Sequence, residues 1–230
     1  MYYNFLYYFI LFIMYSFLGW IVDVTDVLIN TKKLVNRGFL IGPICPIYGV
    51  GLLLITLLLN DYTDRPLVLF ILTIFICMTL EYFTSYVMEK LFNARWWDYS
   101  DKKYNLNGRI CLETTIPFGL GGLLVMYVIN PLFTKVLSLF NHNILIIIGT
   151  SLLTIFVIDV IVSFKAIAKV KQYFLSKYHD DTEEVNRRVK DYLIKLSPLT
   201  KRLMESFPNV RVRISKLKHK IEKTVRRNKK

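Results

Sequence analysis

The apolar residues of this chain come in long unbroken runs, not in an amphipathic period. A run of roughly 18 or more apolar residues is long enough to cross the hydrocarbon core as a helix. Five runs are expected to do so: Tyr2–Val22, Ile44–Leu59, Pro66–Leu91, Thr114–Phe133 and Ile144–Phe164. The second is short, so its span is expected to begin inside the Gly-Pro stretch before it. No basic residue precedes the first run and no small-residue cleavage pattern follows it, so the first helix should stay in the mature protein. The fold class implied is all-α: an integral membrane bundle of five transmembrane helices over residues 1–165, followed by a basic cytoplasmic helical tail over residues 166–230.

Two polar segments interrupt the runs. The first is Asn36-Arg37-Gly38-Phe39-Leu40-Ile41-Gly42-Pro43-Ile44-Cys45-Pro46-Ile47-Tyr48-Gly49. The second extends from Trp96-Trp97-Asp98-Tyr99-Ser100 through Asn107-Gly108-Arg109-Ile110-Cys111-Leu112-Glu113 to Pro117-Phe118-Gly119. Gly42, Pro43, Pro46, Gly49, Pro117 and Gly119 are expected to act as helix breaks. Irregular backbone at membrane depth persists only where protein or water satisfies its polar groups, which makes these segments the natural place for a site. Arg37 precedes Pro46 by nine residues and Arg109 precedes Pro117 by eight, and eight of the ten glycines fall within residues 36–52 and 107–123. The pattern suggests a parallel repeat of two hairpins, residues 5–60 and 66–133, with a fifth helix after it. The plainer reading is that Gly and Pro are common where membrane helices start.

Loop charge sets the orientation. Lys32, Lys33 and Arg37 lie in the first loop, only Arg65 in the second, Lys90, Arg95, Lys102, Lys103 and Arg109 in the third, and only Lys135 in the fourth. By the positive-inside rule, the N-terminus is outside and both polar segments and the C-terminus are cytoplasmic. Net charge is +13, and all of the excess lies after Phe164; residues 1–164 hold ten basic and ten acidic residues.

Carboxylates inside membrane helices are costly and default to functional candidates. Glu81 lies well inside the third run, with Ser85 and Glu89 following at four-residue steps, so this polar stripe should face protein or water. A structural ion pair of Glu81 with Arg37 or Arg109 is the competing reading. Asp23 reads as interfacial, Glu113 as a helix-start acid suited to the dipole, and Asp159 as a partner for Lys165. Asp98, in a Trp-Trp-Asp-Tyr-Ser string that exceeds a simple aromatic belt, is expected to accept from Arg109 or Arg37. The candidate polar site is therefore Arg37, Tyr48, Glu81, Ser85, Trp97, Asp98, Asn107, Arg109 and Glu113. Two arginines with a buried acid and aromatic walls would suit an anionic headgroup or a carboxylate-bearing solute.

Cys45, Cys77 and Cys111 have no metal-ligand spacing, and His142, His179 and His219 all lie outside the apolar runs, so no metal or cofactor is expected. The tail reads as a helix over Lys165–Leu196, a short helix opening at Pro198 with Leu199, Leu203 and Phe207 on one face, and a basic amphipathic stretch over Asn209–Lys230. Such a stretch suits anionic lipid headgroups, or simply holds the tail inside by its charge. No recognition motif supports nucleic acid as a partner.

Taken as a set, Phe17-Leu18-Gly19-Trp20, Arg37-Gly38-Phe39, Gly42-Pro43-Ile44-Cys45-Pro46-Ile47-Tyr48-Gly49, Trp97-Asp98-Tyr99-Ser100 and Gly108-Arg109-Ile110-Cys111-Leu112 resemble the bacterial family labelled putative ABC-transporter type IV permease. The likeness covers about residues 5–165, with Asp23 standing where family members tend to carry Glu. It implies a multi-pass protein of the bacterial plasma membrane. The chain has no phosphate-binding loop of its own, so a transporter of this kind requires a separate ATPase subunit, and five helices imply a homo-oligomer or partner for a transport path. Two other functions fit the residues: a membrane-embedded enzyme or binder acting on anionic lipid or envelope precursors, and an interaction or sensor protein whose tail is the output.

Overall fold

The structure, a computed structural model, describes residues 2–92, 94–177, 198–206 and 211–212. Those residues are mostly helical. Helix α1 is Tyr2–Thr31, α2 Pro46–Leu58, α3 Pro66–Phe92, α4 Thr115–Leu124, α5 Asn130–Ser138, α6 His142–Lys177 and α7 Pro198–Ser206. Four stretches are long and apolar enough to cross a membrane: Tyr2–Thr31, Pro66–Phe92, Leu112–Ser138 and His142–Ala166. Helix α2 is the exception. Its 13 residues rise only about 20 Å, against a hydrocarbon core of about 30 Å. It does not begin within the Gly-Pro stretch as expected. It starts at Pro46, which lacks the N–H that a first-turn residue leaves unbonded anyway. Gly42 and Pro43 stay in the non-helical segment ahead of it.

The chain divides into two compact units, residues 1–84 with 99–160 and residues 85–98 with 161–230. In the first, α1 and α2 form an antiparallel hairpin held by close backbone approach. A Cβ on Gly19 would overlap the ring of Tyr48, and one on Gly49 would overlap Ser16 and Phe12. Gly49 and Gly119 are thus not helix breaks. Both lie inside helices and are buried, Gly119 beneath Phe70. Ile10, Leu11, Tyr15, Val125, Leu137 and Leu145 form one apolar core of this unit, and Ile55, Leu59, Leu69 and Met126 another.

Helices α4 and α5 are joined by a π-helical turn, Val125–Ile129. Pro131 follows, and its ring cannot accept the regular i−4 geometry, so the wider turn absorbs the misfit. Tyr15, fully buried on α1, donates to Asn130 Oδ1 at 2.8 Å beside this turn. On α3, Leu67, Ile71, Phe75 and Phe83 are exposed, which is the face a lipid-embedded helix shows to acyl chains.

The helical class is interrupted by short strands: β1 (Ala94–Arg95), β2 (Asn105–Leu106), β3 (Ile110–Cys111) and β4 (Arg211–Val212). β2 and β3 pair antiparallel, Asn105 opposite Cys111 and Leu106 opposite Ile110. The hairpin closes through Asn107 and Gly108, both at positive φ (55° and 65°), a conformation that Asn and Gly tolerate best. The second unit contains β1 paired with β4. Its helix α7 opens at Pro198 as anticipated and buries Thr200, Leu203 and Ser206. The expected helix beyond Lys177, Phe207, and the basic stretch apart from Arg211–Val212 lie outside the described residues.

Candidate functional site

The two hairpin ends of the first unit gather a polar cluster. Asp23, one helical turn past Gly19 and Trp20 on α1, accepts the Tyr48 hydroxyl at Oδ1 (2.6 Å) and the Cys45 thiol at Oδ2 (3.7 Å). The absent side chain of Gly19 lets the Tyr48 ring lie against α1 and aim its hydroxyl at this acid. Cys45 N–H donates to the Ser16 carbonyl at 2.9 Å, which fixes the start of α2 on α1. Arg37 is near enough to act on Asp23 electrostatically.

Glu81 supplies the second acid. It is only 8% exposed, and Ser85 and Glu89 further along α3 are also buried, so the stripe turns toward protein. Its Oε1 accepts the Tyr99 hydroxyl at 3.1 Å. Among the described residues Glu81 makes no ion pair, so the competing reading of a pair with Arg37 or Arg109 gives way to this phenol. Among the described residues Oε2 has no hydrogen-bond partner. Burial, and then the charge of Glu81, push the Tyr99 phenol well above its ordinary range, so Tyr99 is a proton donor throughout the physiological range. Tyr99 also interacts electrostatically with Tyr48 and Asp23, so the two acid–tyrosine pairs form one cluster.

The β2–β3 hairpin contacts both Tyr82, the next residue on α3, and Tyr99. Asn107 Nδ2 donates to Tyr82 Oη at 3.0 Å, and the buried Arg109 guanidinium lies 5.7 Å from the Tyr82 ring centre. Tyr99 N–H donates to the Gly108 carbonyl at 2.8 Å, which ties the phenol to the hairpin turn. Glu113 stands apart. It lies in a short 3₁₀ turn, Leu112–Thr114, exposed and paired with Lys102 at 2.7 Å. That contact raises the Lys102 pKa through the hydrogen bond first and the charge of Glu113 second.

Ser85, Trp97 and Asp98 belong to the second unit. There Asp98 accepts from Arg95 at 3.1 Å, and Glu89 bonds the same guanidinium at 3.3 Å. Arg95 is thus a cation for Asp98 that sequence reasoning passed over in favour of Arg109 or Arg37.

The loop before α2 is fixed by two further groups. Asn36 accepts from Trp20 Nε1 (2.7 Å) and Gly38 N–H (3.2 Å) and donates to the Ile41 carbonyl (3.0 Å). Asp159, expected to seek Lys165, accepts the backbone N–H groups of Ile41 (2.8 Å) and Gly42 (2.7 Å). A Gly-Pro corner exposes successive N–H groups, and a carboxylate on α6 is a good acceptor for them. Asp23, Cys45, Tyr99 and Asp159 are thus the site and loop residues absent from the candidate set. Asp23 and Asp159 carried a signal as acids at or inside apolar runs, Tyr99 as part of the Trp-Trp-Asp-Tyr-Ser string, and Cys45 only as a thiol within the Gly-Pro segment. The hairpin had a clearer one, the Asn107-Gly108 dipeptide. The two segments differ in construction, strand-free before α2 and hairpin-built before α4, so their likeness is confined to the order of Arg, Cys, Pro and Gly.

Among the described residues no group of His, Cys, Asp and Glu is arranged to hold a metal ion. No curated protein matches the chain, and no solved structure does. The family model described as "Putative ABC-transporter type IV" matches residues 10–164, more than half of the chain, and covers both hairpins, α5 and the apolar part of α6. The chain is a member of this family, a multi-pass membrane protein.

Proposed function

We propose that this chain is the membrane-embedded subunit of a transport system of the bacterial plasma membrane, energised by a separate ATPase. The observation that carries the reading is the pair of acids that each accept a tyrosine hydroxyl, half-buried Asp23 with Tyr48 and buried Glu81 with Tyr99, within helices otherwise made for lipid. Acids held at such cost mark ion and solute paths in membrane proteins. Family membership supports the transport role, and the chain has no nucleotide-binding loop to power it alone. In this reading α2 completes a fifth, partial crossing together with the loop Asn36 and Asp159 hold. Loop charge puts the N-terminus outside and the polar cluster on the cytoplasmic side, where an ATPase docks. Solute handling is assigned to Arg37, Tyr48, Glu81, Asn107 and Arg109, joined by Asp23 and Tyr99. A homo-oligomer widens the path that so few helices can line.

Purification from native membranes in mild detergent, followed by mass spectrometry of the bound proteins, tests the reading. A stoichiometric ATPase is expected. A strict monomer with no ATPase partner would refute it. A second reading, a binder of lipid or envelope precursors, is favoured by one observation, the buried Arg109 beside the cluster. Co-purification of an anionic lipid that is lost on Arg109→Ala would establish it instead.

A further inference from the structure

The two acids of the cluster are not equivalent. Asp23 receives a donor at each oxygen, from Tyr48 and from Cys45. Glu81 receives one, from Tyr99, and among the described residues its Oε2 receives none, although the residue is only 8% exposed. A buried carboxylate oxygen without a donor costs on the order of 1–3 kcal/mol or more, and native proteins rarely leave one so. A carboxylate oxygen in this position accepts a donor, and the charge around it says which kind. Arg37 acts on Asp23, and Arg109 is engaged over Tyr82, whereas Glu81 has no ion pair among the described residues.

Coordination number separates the possible cations. Hard metal ions take about six or more oxygen ligands. The oxygens on hand are Glu81 Oε2 and the lone pairs of the Tyr99 hydroxyl, and no metal-holding group is found among the described residues. That set suits an N–H donor, which needs only one acceptor per hydrogen.

We propose that Glu81 Oε2 and the Tyr99 hydroxyl form a subsite for a primary ammonium group carried by the transported or bound molecule. The inference rests on the transport reading above and deepens it by naming the class of group that the site takes. The ammonium comes either from a small soluble amine or from an aminophospholipid headgroup, and the recognition chemistry is the same.

The test uses the full chain in nanodiscs of phosphatidylcholine and phosphatidylglycerol. Thermal unfolding is followed while ethanolamine, choline or sodium is added, because a ligand that binds only the folded state stabilises it in proportion to its occupancy. Ethanolamine is expected to stabilise the wild type saturably. Choline, which has no N–H, and sodium are expected not to. Glu81→Gln should weaken the apparent affinity at least tenfold, which is about 1.4 kcal/mol. Tyr99→Phe, which leaves the carboxylate intact, should weaken it several-fold and serves if Glu81→Gln does not fold. In nanodiscs containing phosphatidylethanolamine, a wild type that is already stabilised and insensitive to added ethanolamine identifies the headgroup as the source. No stabilisation in either lipid, an equal response to choline or sodium, or an unchanged affinity in both variants would overturn the proposal. The ATPase partner is scored separately by co-purification, so an absent amine response with a bound ATPase sinks this subsite alone.

Discussion

Tyr48→Phe removes one hydroxyl and leaves the ring packed on Gly19, so it isolates the bond to Asp23. Two magnitudes compete. A hydrogen bond to a charged group is worth about 1.5–3 kcal/mol in soluble proteins. Between membrane helices the measured values average about 0.6 and reach only about 1.7, because helices separated in the bilayer find other partners. The geometry favours the upper end of the membrane range. The bond is short at 2.6 Å, and the other donor to Asp23 is a thiol at 3.7 Å, a weaker donor on the other oxygen that does not replace it. The expected cost is therefore about 1.5 kcal/mol, close to a tenfold loss in the folded-to-unfolded ratio. Reversible unfolding of the full chain in mixed micelles measures it, with Asp23→Ala as the second arm of a double-mutant cycle. A coupling energy near 1.5 kcal/mol is expected. A coupling below about 0.3 kcal/mol, within the scatter of independent sites, would show that the pair does not hold the hairpin.

Three further outcomes follow from the packing and the loops. Gly49→Ala should destabilise by about 1–3 kcal/mol, because its methyl overlaps Ser16 and Phe12, whereas Gly121→Ala, with nothing within 4 Å, should stabilise by up to about 1 kcal/mol; unfolding of both variants checks the contrast. Asp159→Ala should release the amides of Ile41 and Gly42, read as hydrogen exchange at those two positions faster by tenfold or more, with little change at the centre of α1. The Tyr99 phenol has a folded pKa raised above the ordinary value of 10.0, so the stability it contributes is complete below that value and is lost as pH rises through the higher folded one. Tyr99→Phe should accordingly flatten the alkaline limb of the stability–pH curve above pH 10 and leave the neutral region unchanged in slope.

The spans were legible because lipid demands unbroken apolar runs, and four of the five expected ones are long helices. The fifth was misjudged at its start. The run Ile44–Leu59 is apolar, but Pro46 fixes the first turn and the Asn60–Tyr62 3₁₀ turn closes the end, which leaves 13 helical residues. The polar stripe of α3 was visible in the four-residue spacing of Glu81, Ser85 and Glu89, and all three are buried. Their partners were not visible. Tyr99 and Glu81 are 18 residues apart, Tyr48 and Asp23 are 25, and Asp159 is more than 100 from its loop, distances over which no local period operates. Asp23 read as interfacial because its position at the end of an apolar run is where an acid needs no explanation. The π-helical turn before Pro131 hid inside a run of uniform hydrophobicity, since the lipid-facing pattern is indifferent to one extra residue per turn.

The central claim is that a transport subunit works through the acid–tyrosine cluster. ATP turnover by the complex isolated from native membranes, reconstituted with the wild-type chain or with Glu81→Gln, addresses it most directly. The account predicts that an ATPase co-purifies with both forms and that turnover responds to ethanolamine only with the wild type. A wild-type preparation without ATPase activity would contradict it, whereas ATPase activity with an equal response in both forms would refute the amine subsite at Glu81 alone.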